Sequence, residues 1–336
     1  MSMLADKTHA IRIHQTGGPE VMRFEEIDLA APGPGQVRLR HSAIGLNFID
    51  VYGRTGLYAM PLPGVLGREA AGVVEALGPK VRGLRKGDRV AYVDSKPGSY
   101  CAQRNVAAGL LVKLPRGVSD ETAAAVMLKG LTAHYLLRRT YRVQRGDWIV
   151  VHAAAGGVGL LLSQWGRALG AKVIGVVGSE AKAVLARAHG CHQVLIADGA
   201  PLAPQIRALT KGVGAAVVYD SVGKDTFMDS LDSARPLGMV VSYGNASGPP
   251  PAISPLELSK RGSLFLTRPS LFDYIGQPGA LTAAAREMFR LLASRKVKVR
   301  IGQRYALKDA AQAHRDLEAR RTTGATVLLP EGLLTL

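Results

Sequence analysis

A glycine-rich turn lies between an apolar run and a helical pattern near the middle of the chain. Residues 148–151 predict a buried strand, the turn 153–159 follows directly, and apolar residues at helical spacing come next. A strand, a glycine turn and a helix in this order hold a dinucleotide pyrophosphate at the helix N-terminus. Ala154 stands where the first glycine of G-x-G-x-x-G would be, whereas Gly156 and Gly159 match. The turn therefore predicts dinucleotide binding rather than an ordinary strand-to-helix connection.

The end of the next predicted strand, residues 172–177, indicates which dinucleotide binds. An NAD enzyme usually places Asp or Glu there to accept hydrogen bonds from the ribose hydroxyls, but Gly178 and Ser179 follow this strand. Ser179 can donate to a 2′-phosphate, and Lys182 can supply a positive charge. Glu180 argues against this unless it points to solvent, and Lys182 could be an ordinary exposed lysine. The missing acid nevertheless predicts NADPH.

The first third of the chain has a different pattern from the rest. Short β-type runs separated by glycine and proline turns fill residues 10–125, which predicts a barrel-like β domain. A helix capped by Ser119 is expected to follow, with 131–137 as a second helical stretch. This region therefore ends in helices that lead towards the dinucleotide-binding part.

Strands and helices alternate from residue 147 onwards. Six apolar strands separated by helices predict a doubly wound parallel sheet, an α/β fold of the Rossmann type. The last segment, 297–330, reads as strand, helix and strand, and we expect it to return to the first domain. The six predicted strands are residues 148–151, 172–177, 193–196, 215–219, 239–243 and 263–267.

Composition sets limits on the protein's surroundings. The 336 residues suffice for two domains, and 43 basic against 26 acidic residues leave a net charge of +17. This charge attracts anions, either a phosphorylated cofactor or RNA, but no basic and aromatic recognition motif is present, so RNA binding is at most a second role. We expect no membrane span and no signal peptide. Only Cys101 and Cys191 are present, so a reducing cytoplasm is expected.

Over nearly its whole length, the chain resembles the zinc-independent quinone oxidoreductases of the medium-chain dehydrogenase/reductase superfamily, the group that includes zeta-crystallin. It is more similar to the bacterial NADPH:quinone oxidoreductases than to the wider superfamily. The most specific stretches are 43–50 (AIGLNFID), 64–72 (GVLGREAAG), 128–133 (LKGLTA), 152–159 (HAAAGGVG), 218–223 (VYDSVG), 241–245 (VSYGN) and 266–270 (LTRPS).

This resemblance implies a domain plan and an assembly. A GroES-like β-barrel catalytic domain would comprise residues 1–125, with 297–336 returning to it, and a Rossmann cofactor domain would comprise 126–296. A cleft between the domains and a homodimer are also implied. The sixth strand is expected to form the edge of the sheet and to pair with its copy in the second subunit.

The resemblance also assigns residues to the cofactor. Thr132 would contact the nicotinamide part, and Arg320 would lie near the 2′-phosphate. The residues with an implied cofactor contact are Thr132, Ala155, Gly156, Gly157, Val158, Gly159, Gly178, Ser179, Lys182, Ser221, Tyr243, Asn245 and Arg320.

Metal ligands are missing where related zinc enzymes have them. Zinc alcohol dehydrogenases carry Cys near the position of Asn47, His at that of Arg68, and four clustered structural cysteines. We therefore expect no metal. We expect Cys191 to lie in a surface turn, and His134 and His152 to be packed, hydrogen-bonded residues.

Hydride transfer from a reduced nicotinamide to a quinone needs little more than positioning. Negative charge develops on a carbonyl oxygen, and a nearby donor stabilises it. Asn47, Tyr52, Tyr58 and Arg268 are the polar candidates; simple aromatic packing for Tyr52 and a structural salt bridge for Arg268 remain open. An enone or enal reductase with the same cofactor is the alternative function. A protein that binds the cofactor without turnover is a third.

Overall fold

The computed structural model describes residues 6–330, which divide into two compact units. The first unit contains the described residues up to Leu128 and those from Val299 onwards, and the second unit is Lys129–Lys298. Between residues 6 and 330, no helix is long and apolar enough to cross a membrane. The domain limits taken from the sequence stay a prediction.

The first unit opens with short strands joined by turns. Helix α1 (Phe48–Thr55) follows the third strand directly, and α2 (Asp120–Tyr135) carries the chain into the second unit. The Ser119 hydroxyl accepts a hydrogen bond from the main-chain nitrogen of Thr122 at 3.1 Å, which confirms the predicted cap of α2. The strands are β1 (Asp6–Ile13), β2 (Arg23–Leu29), β3 (Gln36–Leu46), β4 (Gly64–Val65), β5 (Glu69–Leu77), β6 (Arg89–Val93), β7 (Gln103–Ala107) and β8 (Val112–Lys113).

The second unit is the predicted Rossmann-type sheet. Its strands all run parallel in the order β11-β10-β9-β12-β13-β14, with helices between them. The central strands are almost completely buried, as expected when helices cover both faces. The elements are β9 (Trp148–His152), α3 (Gly157–Ala168), β10 (Lys172–Val177), α4 (Glu180–Ala188), β11 (Gln193–Ile196), α5 (Leu202–Leu209), β12 (Ala215–Asp220), α6 (Phe227–Ser233), β13 (Ala234–Ser242), α7 (Leu256–Lys260), β14 (Phe265–Thr267), α8 (Leu271–Ile275) and α9 (Ala280–Ala293).

The end of the chain completes the first unit. It forms β15 (Ile301–Ala306), α10 (Ala310–Glu318) and β16 (Ala325–Leu329). Strand β16 pairs antiparallel with β3, within a sheet of order β15-β16-β3-β5-β6-β8 to which β7 adds on β3. A smaller sheet, β2-β1-β4, belongs to the same unit. This arrangement is the β-rich domain that the resemblance implied, completed by the last segment of the described chain.

Three predicted elements differ most from the structure, and one is the fifth strand, which is Ala234–Ser242 rather than 239–243. The two predicted helical stretches join into one helix, α2, in which Gly130 is buried, so packing outweighs the helix penalty of about 1 kcal/mol for glycine; α2 ends at Tyr135, and Leu136–Thr140 form a π-helical turn. The sixth strand begins at Phe265 rather than Ser263. Ser263 has a left-handed φ of 57°, and Leu264 bonds to the Leu258 carbonyl instead of the sheet.

Candidate functional site

The glycine turn brings helix α3 directly against the end of β9. A Cβ atom on Gly159 would lie 2.3 Å from the carbonyl oxygen of Ala153 and 2.7 Å from Cα of Ala154, so only glycine fits without a backbone shift. Gly156 forms the N-cap of α3. The first N–H groups of a helix have no acceptor within it, and they lie at the positive end of its dipole. The turn can therefore bind a phosphate group through main-chain donors.

A buried hydrogen-bond network fixes the strand ends beside this turn. His152, the last residue of β9, contacts the Ser230 hydroxyl through Nε2 at 3.1 Å, and that hydroxyl donates to Asp220 at 2.7 Å. Asp220 also accepts the main-chain N–H groups of Val222 and Gly223 at 2.8 and 3.0 Å. Burial lowers the pKa of His152, so the ring stays neutral. The expectation of a packed, hydrogen-bonded His152 is confirmed.

The end of β10 offers space and a helix N-terminus. No atom lies within 4 Å of a Cβ placed on Gly178. Ser179 is the N-cap of α4, and its Oγ accepts a hydrogen bond from the main-chain nitrogen of Lys182 at 3.4 Å. Glu180 is paired with Arg187 at 2.7 Å on the exposed face of the helix. The acid that argued against NADPH is thus neutralised by an arginine of its own helix.

The other cofactor candidates of the second unit follow neighbouring strands at the same edge of the sheet. Tyr243 donates its main-chain N–H to the Asp220 carbonyl at 2.7 Å, and the Ser221 carbonyl accepts from Ala246 at 3.2 Å, which joins the loops after β12 and β13. Arg268, after β14, donates to the Ser242 carbonyl at 3.0 Å. Asn245 lies in the loop after β13, partly exposed. Carboxyl ends of adjacent parallel strands are where such sheets bind ligands.

Two further cofactor candidates lie on or after helices rather than after strands of the parallel sheet. Thr132 is buried on α2. Arg320 follows α10 in the first unit, is exposed, and has a left-handed φ of 57°. Their contacts with a cofactor stay predictions.

Asn47 is held firmly in the first unit. It is the N-cap of α1, its main-chain N–H donates to Asp50 Oδ2 at 2.9 Å, and its Nδ2 donates to Glu69 Oε1 at 2.8 Å. Glu69 is fully buried and also accepts the Leu128 N–H at 2.6 Å. Because an amide nitrogen carries two hydrogens and Glu69 takes one, the Asn47 side chain is oriented with donor capacity remaining.

The first unit also contains the aromatic and basic side chains that lie near Asn47 in the sequence. Tyr52 lies on α1 and packs edge-on against Tyr58, with ring centroids 5.2 Å apart. Arg68 donates to the Ser95 carbonyl and is half-buried. Burial lowers the pKa of Arg68, while Asp50 and Asp94 act in the opposite direction. Tyr52 therefore has the aromatic packing that was left open, and a role of its hydroxyl as a hydrogen-bond donor to substrate stays a prediction.

A buried polar chain next to Asn47 was missed in the sequence. Tyr100 donates to Asp50 at 3.1 Å and contacts His314 Nε2 at 3.1 Å. His314 Nδ1 in turn accepts from Arg54 at 3.1 Å, and Arg54 forms two hydrogen bonds with Glu318, at 2.9 and 2.7 Å. The signal available in the sequence was the spacing Asn47-Phe-Ile-Asp50, in which a carboxylate three residues after an N-cap reaches back to its N–H.

The side chains that commonly bind metal ions do not form a cluster in the described residues. Nowhere in residues 6–330 do three His, Cys, Asp or Glu side chains come together to hold a metal ion. His134 is bonded to Glu287 at 3.2 Å, as a packed residue. Cys191 was expected in a surface turn, and this is wrong: it is buried, with Sγ 3.3 Å from the Ser163 hydroxyl beneath α3. A free cysteine behaves as a small apolar side chain, which explains its burial.

Comparison with known proteins agrees with this architecture. Residues 33–144 match the alcohol dehydrogenase GroES-like domain, and residues 157–294 match the zinc-binding dehydrogenase domain. The chain is 51% identical over 315 residues to the quinone oxidoreductase of Pseudomonas aeruginosa, covering 94% of this chain and 97% of that protein. It is 43% identical to the 2-haloacrylate reductase of a Burkholderia species, covering 95% and 98%.

A solved structure gives the same result in three dimensions. The Escherichia coli quinone oxidoreductase complexed with NADPH superimposes with a TM-score of 0.94 at 45% identity, covering 96% of this chain and all of that one. Likeness of this extent in both sequence and fold shows common descent rather than a shared fold alone. The chain belongs to the quinone oxidoreductase family of the medium-chain dehydrogenase/reductase superfamily.

Proposed function

We propose that this protein is an NADPH-dependent quinone oxidoreductase that transfers a hydride from the cofactor to a quinone. The observation that carries the proposal is the likeness, over nearly the whole chain, to a quinone oxidoreductase whose structure is complexed with NADPH. The strand ends of the second unit fit such a cofactor. They combine a turn with no room for a side chain at Gly159 and open space at Gly178.

Each part of the cofactor is proposed to contact a different group of residues. Main-chain N–H groups of residues 155–159 would bind the pyrophosphate at the N-terminus of α3, apart from that of Gly156, which donates to the Ala153 carbonyl at 2.8 Å. Gly178, Ser179 and Lys182 would receive the 2′-phosphate, with Arg320 as a further positive charge. Thr132, Ser221, Tyr243 and Asn245 would hold the nicotinamide and ribose parts, and Arg268 orients the loop after β13 through the Ser242 carbonyl.

The bound cofactor supplies the hydride, and the protein's own groups orient the acceptor and stabilise its charge. We assign Asn47 as the donor to the quinone oxygen, because its amide is already fixed by Glu69 and by the start of α1. Tyr52 and Tyr58 form an aromatic wall against which a flat ring can pack. A donor that is fixed before the reaction stabilises the developing charge most effectively.

Metal independence is part of the proposal. Asn47 and Arg68 stand where zinc relatives have ligands, and an arginine cannot lose its proton to bind a metal in proteins. The role of charge stabilisation therefore falls to hydrogen-bond donors. A quinone suits this site, since its reduction gives a delocalised aromatic anion that requires only modest stabilisation.

A homodimer is proposed from the edge of the parallel sheet. Strand β14 ends the sheet and, within the described chain, pairs only with β13. Phe265 and Leu266 on this strand are 57% and 36% exposed. An exposed apolar edge strand needs cover, and the second copy of β14 supplies it in a two-fold arrangement.

The surroundings of the protein are proposed from its thiols and its charge. Both cysteines are unpaired and buried, which suits a reducing, cytoplasmic location. The net charge of +17 keeps RNA binding as a subsidiary hypothesis, open to a salt-dependent retention assay with NADPH as competitor.

The experiment for the proposed function is cofactor-dependent turnover. The purified protein should oxidise NADPH when a 1,4-benzoquinone is added, with NADH a much poorer donor. Asn47→Ala should lower kcat and kcat/KM together, because a donor that acts in the transition state is removed. Tyr52→Ala, which removes the ring, should mainly raise KM if the tyrosine is a wall, whereas Tyr52→Phe keeps the ring and should leave KM nearly unchanged. Wild-type kinetics in both Asn47→Ala and Tyr52→Ala would refute the assignment of Asn47 and Tyr52.

A further inference from the structure

Asp50 is a buried carboxyl group with an incomplete set of partners. It is only 2% exposed, and its Oδ2 accepts hydrogen bonds from the Asn47 N–H and the Tyr100 hydroxyl. Its Oδ1 is buried without a hydrogen-bond partner among the described residues. If this carboxylate were ionised, one of its two negatively charged oxygens would be buried without a hydrogen-bond donor, which is unfavourable. Such a site favours the neutral form.

The chain of hydrogen bonds behind Asp50 has a fixed direction. Arg54 can only donate, so Nδ1 of His314 accepts and its proton is on Nε2. Nε2 then donates to the Tyr100 oxygen, and Tyr100 gives its single proton to Asp50. Burial lowers the pKa of His314 to about 3, so the ring is neutral. The chain therefore presents a neutral donor to Asp50, while the charge of Arg54 is balanced by Glu318.

Charged groups from other elements also face Asp50. Arg68, just before β5, favours the ionised carboxylate, whereas Glu69, the first residue of β5, opposes it. Hydrogen bonds from Asn47 and Tyr100 favour ionisation as well. Burial outweighs all of these and raises the pKa of Asp50 to about 7. The carboxyl group thus changes its charge near neutral pH.

We propose that Asp50 is a positioning residue for Asn47, and that quinone reduction proceeds on the enzyme form in which Asp50 is protonated. This inference rests on the proposed function. Hydride transfer places negative charge on the quinone oxygen beside the Asn47 amide, and an ionised Asp50, 2.9 Å from the Asn47 main-chain nitrogen, repels that charge. A protonated Asp50 does not. No proton passes from Asp50 in this step, because the carboxyl group acts through its charge and its bond to Asn47.

The kinetic test is the pH dependence of kcat/KM for a 1,4-benzoquinone at saturating NADPH, between pH 6 and 9. Wild type should lose roughly a hundredfold over this range, with kcat/KM falling about tenfold per pH unit above a midpoint near pH 7. Asp50→Asn should abolish this step, because the amide cannot ionise. Tyr100→Phe removes a donor that favours ionisation, so the midpoint should move to higher pH. Asp316→Asn is the matched control: Asp316 also accepts from a tyrosine, Tyr305, at 2.7 Å, and its loss should leave the wild-type profile.

A second measurement is independent of activity. The folded-state pKa of Asp50 lies above its usual value, so the protonated group stabilises the fold at low pH and this contribution is lost as pH rises to about 7. Between pH 5 and pH 8, the Tm of wild type should therefore fall relative to that of Asp50→Asn.

The two measurements separate the possible failures. Absence of quinone reduction at every pH would refute the proposed function, while the Tm difference still reports the titration of Asp50. Quinone reduction with a flat pH profile, or with the same step in Asp50→Asn, would overturn the inference. If Asp50→Asn does not fold, the pH profile of Tyr100→Phe tests the inference instead. A Tyr100→Phe midpoint identical to that of wild type would contradict the inference.

Discussion

Gly159→Ala tests whether the turn before α3 has the shape that phosphate binding requires. Alanine normally stabilises a helix by about 0.5–1 kcal/mol relative to glycine. Here the new Cβ would lie 2.3 Å from the Ala153 carbonyl oxygen, and Cβ atoms essentially never approach closer than 3.0 Å. The helix and the turn must therefore separate by about 0.7 Å, and such overpacking costs about 1–3 kcal/mol. We expect net destabilisation of about 1–2 kcal/mol.

The same shift should weaken the cofactor site. Loss of well-directed main-chain hydrogen bonds to a charged phosphate costs about 1.5–3 kcal/mol, or roughly ten- to a hundredfold in Kd for NADPH. Both tryptophans, Trp148 and Trp165, lie in the second unit, so their fluorescence can follow urea unfolding and NADPH titration. Gly156→Ala is the matched control for stability, since its nearest contact is 3.2 Å. A Gly159→Ala protein with wild-type stability and wild-type Kd would refute this reasoning.

Three other predictions address the cofactor, the metal and the assembly. Lys182→Ala should weaken NADPH binding by about 1–3 kcal/mol and leave NADH nearly unchanged; equal losses for both cofactors would show that Lys182 does not bind the 2′-phosphate. Chelator treatment should leave quinone reduction intact, and elemental analysis should find no stoichiometric zinc; activity that is lost with chelator and restored by zinc would contradict metal independence. Phe265→Glu should release monomer in sedimentation, unlike Val213→Glu at a similarly exposed position, and a wild-type protein that is already monomeric at micromolar concentration would remove the argument for a dimer.

Much of the cofactor-binding unit could be predicted from local pattern. Strands β10 and β11 have the predicted limits, because each is a short, mostly apolar run with clear turns at its ends. The predicted start of the sixth strand, Ser263, is wrong because Ser263 has a left-handed backbone conformation, so the strand begins later. The apolar character of the sequence does not change at this point and gives no sign of it. The burial of Cys191 depends on Ser163, 28 positions away, which no local pattern reports.

In the candidate site, too, some features could be predicted from local sequence and others depend on contacts between distant residues. The spacing of the glycine turn and the missing acid after β10 are local signals, and together with the family resemblance they led to the prediction of NADPH. The environment of Asn47 is not local: Glu69 comes from another strand, and the chain behind Asp50 joins Arg54 to Glu318, 264 positions later. Contacts of this kind are made only by the closed fold, so the sequence could identify Asn47 as a candidate but could not show what orients it.

The most direct test of the central claim is a comparison of acceptors at saturating NADPH. A 1,4-benzoquinone, a 2-alkenal, a 2-haloacrylate and a simple aldehyde should be compared by kcat/KM, with reduced products identified. We predict that the quinone is preferred over every other acceptor by at least about tenfold, which corresponds to 1.4 kcal/mol of transition-state stabilisation. Efficient reduction of the alkenal or the haloacrylate, with little turnover of the quinone, would contradict the claim and assign the protein to carbon–carbon double-bond reduction.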